Sequence, residues 1–242
     1  MNQATLTTVW LGTVDYERAL ELQEAMASAR LADAIGDTLL LLEHPHVYTL
    51  GRGASEHYLV APPRDVPIYR VSRGGQVTYH GPGQLIGYPI LKLEGPARDV
   101  HQYVRALERA IIETLGVYGI GAARRDKLTG VWVGERKIAS IGIGIRRWIT
   151  LHGFALNVDC DLRFFDRIVP CGLDGCRMTS IACEGRADLD TVGTAHLLAQ
   201  HFAQVFGYGS IDTVGAAEIW RLLDRTSALN RTGALIREAD CG

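Results

Sequence analysis

The strongest candidate for a nucleophile in this sequence is a cysteine that lies between a proline and a glycine. Cys171 lies in the run Ile-Val-Pro-Cys-Gly, a composition that predicts a loop, so we expect its thiol to be exposed. Cys176 and Cys183 remain candidates on the same grounds. A cysteine attacks as the thiolate, which forms readily only near a cation or hydrogen-bond donors. The sequence therefore predicts a cysteine nucleophile on the condition that such a partner lies close.

The strongest candidate for that partner is a lysine at the start of a strand. Lys137 leads into a run of alternating small and large residues, 138–145, and does not belong to a charged helix face. We expect such a lysine to be partly desolvated, although spacing alone favours a lysine solvated at a hairpin. His80 is a second candidate base or hydrogen-bond donor, and His152 is a third.

A glycine-rich loop, Arg73–Gln84, carries a dense set of polar groups. It holds four glycines and one proline within twelve residues, which excludes a helix interior. Its polar side chains include Arg73, Thr78 and His80, and its glycines let the backbone approach a ligand closely. A long surface turn is the alternative. So many glycines beside so many hydrogen-bonding side chains favour a binding loop.

Strands and helices are both plentiful in the predicted order of elements. Predicted strands cover residues 5–11, 37–43, 66–71, 85–93, 138–145 and 149–158, with a hairpin at 130–137. Predicted helices cover residues 15–31, 99–115, 189–206 and 216–229, with Asp99 as an N-cap and Gly116 as a helix end. Pro89 argues for an edge or a bulge in its strand. The hairpin connections favour a mixed or antiparallel sheet over a doubly wound parallel one.

The small residues in strand 138–145 fall on one face. Ser140, Gly142 and Gly144 alternate with isoleucines, so one face of this strand lacks bulk. Either a ligand or another backbone is expected to lie against that face.

The composition and the missing motifs exclude several classes of protein. The chain has 242 residues and a net charge of −2, which does not suit a polyanion binder. No secretory signal and no long apolar run are present, so we expect a cytoplasmic protein without a membrane span. Neither G-x-G-x-x-G between strand and helix nor G-x-x-x-x-G-K-[ST] occurs, which disfavours dinucleotide and P-loop chemistry. His44 and His46 lack a cysteine or carboxylate cluster that would complete a metal site, so no metal is expected.

Four stretches together resemble the octanoyltransferases of lipoate biosynthesis. The first is Arg73-Gly-Gly-Gln-Val-Thr-Tyr-His-Gly-Pro-Gly-Gln-Leu-Ile-Gly-Tyr-Pro-Ile90. The others, in order, are Arg136-Lys-Ile-Ala-Ser-Ile-Gly142, His152-Gly-Phe-Ala-Leu-Asn-Val158, and Ile168-Val-Pro-Cys-Gly172 followed by Met178-Thr-Ser-Ile181. The resemblance covers roughly residues 5 to 210. Any one stretch would be weak evidence, whereas the set in this order is specific.

The resemblance implies a fold and a set of site residues. The fold is a mixed, largely antiparallel sheet flanked by helices, of the α+β type within the α/β class, like the catalytic domains of lipoate and biotin protein ligases. Cys171 matches the family's acyl-thioester nucleophile, and Lys137 matches its partner lysine. The implied substrate-binding residues are Arg73, Gly74, Gly75, Gln76, Val77, Thr78, Tyr79, His80, Ser140, Ile141, Gly142, Gly153, Phe154 and Ala155.

The resemblance also implies partners and an organisation of the chain. An octanoyl or lipoyl group would move from acyl carrier protein to a lysine of the lipoyl domains of 2-oxoacid dehydrogenase complexes and of the glycine cleavage H protein. No cofactor, nucleic acid or membrane is implied. Residues 1–229 are predicted to form a single catalytic domain, and residues 230–242 a loosely ordered tail.

Two other functions remain open from the sequence. An ATP-dependent lipoate or biotin ligase could use the same fold without a cysteine nucleophile. A non-catalytic protein could bind the acyl group or its carrier and never form a covalent adduct. Catalysis is favoured because Cys171 and Lys137 both occur in their matching contexts.

Overall fold

The structure is a computed structural model that describes residues 4–172 and 175–223, with every side chain in these ranges except that of Cys171. The strands are β1 Thr5–Thr13, β2 Thr38–Glu43, β3 Val47–Leu50, β4 Ile68–Arg70, β5 Val77–His80, β6 Gln84–Ile90, β7 Ala123–Arg125, β8 Leu128–Val133, β9 Arg136–Arg146, β10 Ile149–Asn157, β11 Arg177–Met178 and β12 Ser210–Thr213. The helices are α1 Tyr16–Leu31, α2 Val100–Val117 and α3 Thr191–Phe206. Residues 216–223 are also helical and form the described part of the helix predicted at 216–229.

One large mixed sheet organises the fold. Its strand order is β12-β1-β2-β6-β10-β9-β8-β7, and β11 pairs with β9. The central ladders β2–β6, β6–β10, β10–β9 and β9–β8 are antiparallel, whereas β12–β1, β1–β2 and β11–β9 are parallel. The predicted fold class, a mixed and largely antiparallel sheet flanked by helices, is confirmed.

Helices cover both faces of this sheet. Strand β2 shows why, because its four consecutive leucines alternate between two cores. Leu39 and Leu41 pack in the core under α2 and α3, whereas Leu40 and Leu42 pack in the core under α1. A strand buried on both faces has no polar alternation, as its sequence predicts.

Strand β6 corrects one expectation. Pro89 lies in an interior strand between β2 and β10, so the predicted edge position is wrong. The Pro89 carbonyl accepts from the Thr150 hydroxyl at 2.6 Å, so the Pro89 backbone faces β10. The β6–β10 ladder stops at Gly87, two residues earlier, so no ladder hydrogen bond requires an amide N–H from Pro89.

The second helix begins as predicted and ends later than predicted. The Asp99 carboxylate accepts from the backbone N–H groups of His101 and Gln102, which caps α2. The helix continues through Gly116 to Val117, and the left-handed residue that follows is Gly119 with φ 76°. Gly116 therefore does not end the helix, because the turn to the next segment uses a glycine three residues further on.

A small second sheet holds the glycine-rich loop. Its order is β4-β3-β5. Strand β5 lies within the segment Arg73–Gln84, so the middle of the predicted loop is a strand, and only its glycine-containing flanks, residues 73–76 and 81–83, are turns. Tyr48 and Tyr79 of this sheet pack with Phe165 in a core of their own. Among the described residues, no helix has both the length and the apolar character needed to cross a membrane. The single-domain boundary at residue 229 stays a prediction, and the tail 230–242 lies outside the described residues.

Candidate active site

A cavity of about 260 Å³ lies between the glycine-rich loop, β5 and the strands β9 and β10. This volume is near the lower end of small-molecule pockets, which span roughly 300 to 1,000 Å³. Most predicted site residues line it, namely Arg73, Gly75, Gln76, Val77, Thr78, His80, Lys137, Ser140, Ile141, Gly142, Gly153, Phe154 and Ala155. The structure therefore brings together three segments that are distant in the sequence.

Three predicted site residues do not line the cavity with a described side chain. Gly74 donates its backbone N–H to the Ile143 carbonyl at 2.8 Å and has no side chain to offer. Tyr79 packs on the other side of β5, where its hydroxyl meets His46 Nδ1 at 2.7 Å. A substrate contact from Tyr79 would thus have to come from its backbone. The third residue is Cys171, whose side chain lies outside those described.

Small residues on two paired strands form one wall. Ser140 faces Ala155 in the β9–β10 ladder, and Gly142 faces Gly153. A Cβ on Gly142 would lie 3.0 Å from Arg73 Cδ, and a Cβ on Gly153 would lie 2.1 Å from the Gly87 carbonyl oxygen. Another backbone does lie against the small face, because a Cβ on Gly142 would lie 3.1 Å from the Gly74 carbonyl oxygen. The same face lines the cavity, where a ligand stays a prediction.

Arg73 holds the glycine-rich loop in place. Its Nη2 donates to the Thr49 carbonyl at 2.7 Å and to the Thr49 hydroxyl at 2.8 Å. Its Nη1 donates to the carbonyls of Gly74 and Gln76. The side chain is only 7% exposed. Arg73 thus stabilises the loop that lines the cavity and contributes part of the lining itself.

His80 has its tautomer fixed by a buried chain of hydrogen bonds. Asn157 Nδ2 donates to the Thr179 carbonyl, so Asn157 Oδ1 accepts from Gln84 Nε2. Gln84 Oε1 must then accept from His80 Nδ1–H, at 2.8 Å. His80 Nε2 is left as an acceptor 3.4 Å from the Thr49 hydroxyl. Neutral His80 therefore has no N–H to offer the cavity, and its predicted role as a donor is wrong.

Burial keeps three histidines of this region neutral. It lowers the pKa of His44 and of His152 to about 4, and that of His80 to about 3. His44 Nδ1–H donates to the Val14 carbonyl at 2.5 Å, and its Nε2 accepts from the Tyr88 hydroxyl at 2.8 Å. Both ring nitrogens of His44 are thus engaged by the protein. In residues 4–172 and 175–223, no three metal-ligating side chains lie together.

These pKa shifts predict loss of stability in acid. Below an unfolded pKa of about 6.5 the unfolded chain binds protons that the folded chain does not, so the free energy of unfolding falls as pH falls from 6.5 towards 4. Each histidine contributes a slope of at most about 1.4 kcal/mol per pH unit. Urea unfolding across this range should show a shallower slope in His44→Gln than in the wild type. The exposed His101→Gln is the control, and an equal loss of slope in both variants would contradict the explanation.

Lys137 is buried, so the alternative of a solvated hairpin lysine is wrong. Its side chain is 2% exposed, and its Nζ lies 5.4 Å from the ring centre of Trp132. A Cβ on Gly130 would lie 2.6 Å from Lys137 Cε, so glycine at 130 makes room for the lysine. The Gly130 N–H donates to the buried carboxylate of Glu108. Lys137 therefore lines the cavity as a buried residue of β9.

The backbone around Cys171 lies beside the same cavity. A Cβ on Gly172 would lie 3.0 Å from Gln76 Cγ, and Gln76 lines the cavity. After Cys171 the chain returns as β11, where Met178 pairs with Lys137. The Thr179 N–H donates to the Lys137 carbonyl at 2.9 Å. The chain that follows Cys171 thus approaches the cavity at Gly172 and pairs with Lys137 at Met178, while the contact between thiol and amine stays a prediction.

Two other cysteines contribute nothing to this cavity. Cys160 is buried, and burial raises the pKa of its thiol to about 12, so it is unreactive. Cys183 is exposed and does not line the cavity.

The cavity is also lined by residues that are not among the implied substrate-binding residues. Tyr16 comes from α1 and Tyr88 from β6, and burial raises the pKa of Tyr16 to about 12 and that of Tyr88 well above its usual value. Both phenols are therefore uncharged. The remaining additions are Lys127, Leu128, Thr129 and His152. Tyr88 and His152 lie within the quoted motifs, and His152 is also a candidate base or donor, whereas no motif contains Tyr16, Lys127, Leu128 or Thr129.

Solved structures share this fold at low identity. A putative lipoate protein ligase from T. acidophilum aligns with a TM-score of 0.68 and 17% identity over 93% of each chain. A lipoate-protein ligase A bound with ATP aligns with a TM-score of 0.66 and 17% identity, over 92% of this chain and 93% of the other. The architecture is therefore that of the lipoate protein ligases.

Sequence comparisons narrow this class to a family. The model of the lipoyl protein ligase A/B catalytic domain matches residues 15–203. An octanoyltransferase of Solibacter usitatus is 55% identical over 204 residues, which cover 82% of this chain and 91% of the relative. An octanoyltransferase of Caldicellulosiruptor bescii is 43% identical over 225 residues, covering 90% and 98%. The chain belongs to the family of lipoyl protein ligase A/B catalytic domains, and the resemblance noted in its sequence is confirmed.

Proposed function

We propose that this protein moves an octanoyl group from acyl carrier protein to a lysine of a lipoyl domain through a thioester on Cys171. The chain is a transferase enzyme that acts in octanoyl transfer for lipoate biosynthesis, as the names of its relatives at 43–55% identity support. The observation that carries the covalent route is the buried Lys137 at the cavity, paired through its own strand with the segment that follows Cys171.

The first step exchanges one thioester for another. The Cys171 thiolate attacks the carbonyl carbon of the donor thioester and forms a new carbon–sulfur bond. The bond to the carrier sulfur breaks, and the carrier thiolate takes the proton of the Lys137 ammonium and leaves as a thiol, so Lys137 becomes a free amine. Because a thioester replaces a thioester, this step is nearly balanced in free energy and needs no nucleotide. The ammonium of Lys137 stabilises the Cys171 thiolate before attack.

The second step makes an amide. The amine of the acceptor lysine attacks the carbonyl carbon on Cys171, and a carbon–nitrogen bond forms. The carbon–sulfur bond breaks, Cys171 leaves as a thiolate, and the Lys137 amine accepts the proton that the attacking nitrogen loses. Conversion of a thioester into an amide is strongly downhill, which drives the transfer forward.

The cavity suits a short saturated chain. Its walls combine small residues, such as Gly142 and Ala155, with the uncharged groups of Tyr88 and His152. Burying a methylene contributes about 0.8 kcal/mol, so an octanoyl chain gains up to roughly 5 kcal/mol.

The acceptors are lipoyl domains in general, as the family membership supports. We infer more specifically that they are the lipoyl domains of 2-oxoacid dehydrogenase complexes and the glycine cleavage H protein. Octanoyl-acyl carrier protein is the inferred donor.

Intact mass spectrometry after incubation with octanoyl-acyl carrier protein tests the covalent route. The wild type should gain the mass of one octanoyl group, and Cys171→Ser should gain none because the thiol is gone. Cys183→Ser is the matched control, since it removes an exposed thiol outside the cavity, and it should gain the same mass as the wild type.

Each alternative function predicts a different result. A wild type that binds octanoyl-acyl carrier protein and gains no mass would be an acyl-binding protein. A Cys171→Ala variant that still modifies a lipoyl domain, given octanoate and ATP, would be a ligase. Either result would overturn the thioester mechanism.

A further inference from the structure

Strand β10 breaks its side-chain alternation at one residue. Leu151 and Ala155 pack in the core under α1, and Phe154 and Leu156 pack in the core under α2 and α3. By alternation His152 should join the second group. Its backbone is left-handed instead, with φ 57°.

This backbone turns the His152 ring towards the cavity. A Cβ on Gly144 would lie 3.2 Å from His152 Cδ2 and 3.6 Å from Leu151 Cβ, so the two successive side chains share one face. The Ser72 hydroxyl meets His152 Nε2 at 3.1 Å, and the ring lines the cavity. Gln23 of α1 accepts from the His152 backbone N–H at 2.8 Å, which holds the turned backbone in place.

Two features of His152 are unfavourable for stability. A left-handed backbone at a residue other than glycine is strained. The ring is 2% exposed, and its Nδ1 is buried without a hydrogen-bond partner among the described residues. Strained residues are found mostly at sites where function requires a side chain in a particular place. For His152 that place is the wall of the cavity.

His152 lies at the end of the cavity away from Lys137. The Lys137 amine reaches the level of Ala139, because a Cβ on Gly130 would lie 3.2 Å from Lys137 Nζ and 2.6 Å from the Ala139 carbonyl oxygen. His152 pairs with Ile143, four residues further along β9, which is about 13 Å of strand. At this same level the Gly74 N–H binds the Ile143 carbonyl, so the glycine-rich loop is fixed onto the strand there. The loop and the His152 ring therefore close the cavity at this end.

We propose that His152 is a specificity-determining residue that limits the length of the acyl chain. This inference rests on the proposed function. The acyl carbonyl lies near Lys137, the chain follows the small residues of β9 and β10, and its methyl end meets the imidazole. A longer chain would have to displace a ring that Ser72 and the strained backbone hold in place.

Replacing His152 with glycine tests the proposal. Glycine adopts the left-handed backbone without strain and removes the ring. Rates of adduct formation are measured by intact mass with octanoyl, decanoyl and dodecanoyl thioesters. The ratio of decanoyl to octanoyl rate should rise about tenfold in His152→Gly, the lower range of discrimination that a pocket wall gives per methylene. Leu151→Ala is the matched control, because it shortens the neighbouring side chain outside the cavity, and its ratio should equal that of the wild type.

The outcomes separate this inference from the proposed function. A folded His152→Gly with an unchanged ratio, or with equal losses for all three chains, overturns the length role. If His152→Gly does not fold, His152→Asn is used, since asparagine is smaller and tolerates the left-handed region, and the same ratio decides. A wild type that forms no adduct with the octanoyl thioester contradicts the proposed function itself.

Discussion

Lys137→Met is expected to reduce octanoyl transfer by about a thousandfold, the middle of the range that general acid–base catalysis contributes. Methionine keeps an unbranched apolar side chain in the buried site beside Trp132 and Gly130, so the fold should persist. The loss has two causes. Without the ammonium the Cys171 thiolate is scarcer, and without the amine the second step lacks a proton acceptor. Steady-state kcat/KM for transfer to a lipoyl domain measures the combined effect.

A second lysine of the same cavity provides the control. Lys127 lines the cavity but is exposed at the turn between β7 and β8. Lys127→Met should therefore retain activity within about tenfold of the wild type. Equal losses in the two lysine variants would mean that positive charge at the cavity matters, and that the position of Lys137 does not. A folded Lys137→Met with near wild-type activity would remove Lys137 from the mechanism.

Gly153→Ala is expected to destabilise the fold by about 3 kcal/mol or more, because overpacking an interior site costs 1 to 3 kcal/mol and more where the neighbours cannot move. The added methyl would lie 2.1 Å from the Gly87 carbonyl oxygen and 2.7 Å from Pro89 Cδ. Both neighbours belong to β6, which is fixed between β2 and β10. Urea denaturation gives the change in unfolding free energy.

Gly116→Ala is the matched control for this substitution. Gly116 lies within α2, and a Cβ there would meet nothing within 4 Å. Alanine in a helix interior is favoured over glycine by roughly 0.5 to 1 kcal/mol, so this variant should be slightly more stable than the wild type. Equal destabilisation of the two variants would contradict the steric argument for Gly153.

Sequence patterns predict much of this fold because they report burial and backbone freedom directly. The four leucines of β2 indicate a strand with two buried faces, and two cores receive them. The glycines of the loop Arg73–Gln84 indicate close backbone approach, and the loop lies against β9 at Gly142. Pro89 misleads because the pattern of a single strand does not reveal where its neighbouring ladder stops.

The remainder of the site depends on tertiary contacts that local patterns do not contain. The sequence predicts that Arg73 binds a ligand. In the structure its guanidinium donates to two carbonyls of its own loop and to the carbonyl and hydroxyl of Thr49 in β3. His152 follows a strand pattern that places its ring on the wrong face, because alternation assumes a regular backbone. In the sequence Tyr16 appears only as one of the apolar positions of α1. The packing of that helix against the sheet is what brings its ring to the cavity.

The attachments of the glycine-rich loop have a consequence for the energetics of substrate recognition. The Arg73 guanidinium ties the loop to β3, and the Gly74 amide ties it to Ile143. A segment fixed in this way has already lost its conformational entropy during folding, so an arriving acyl chain does not have to order it. The binding free energy can then increase with each methylene that is buried. The fixed walls of the cavity, and not the ordering of the loop, then determine which acyl chain length is preferred.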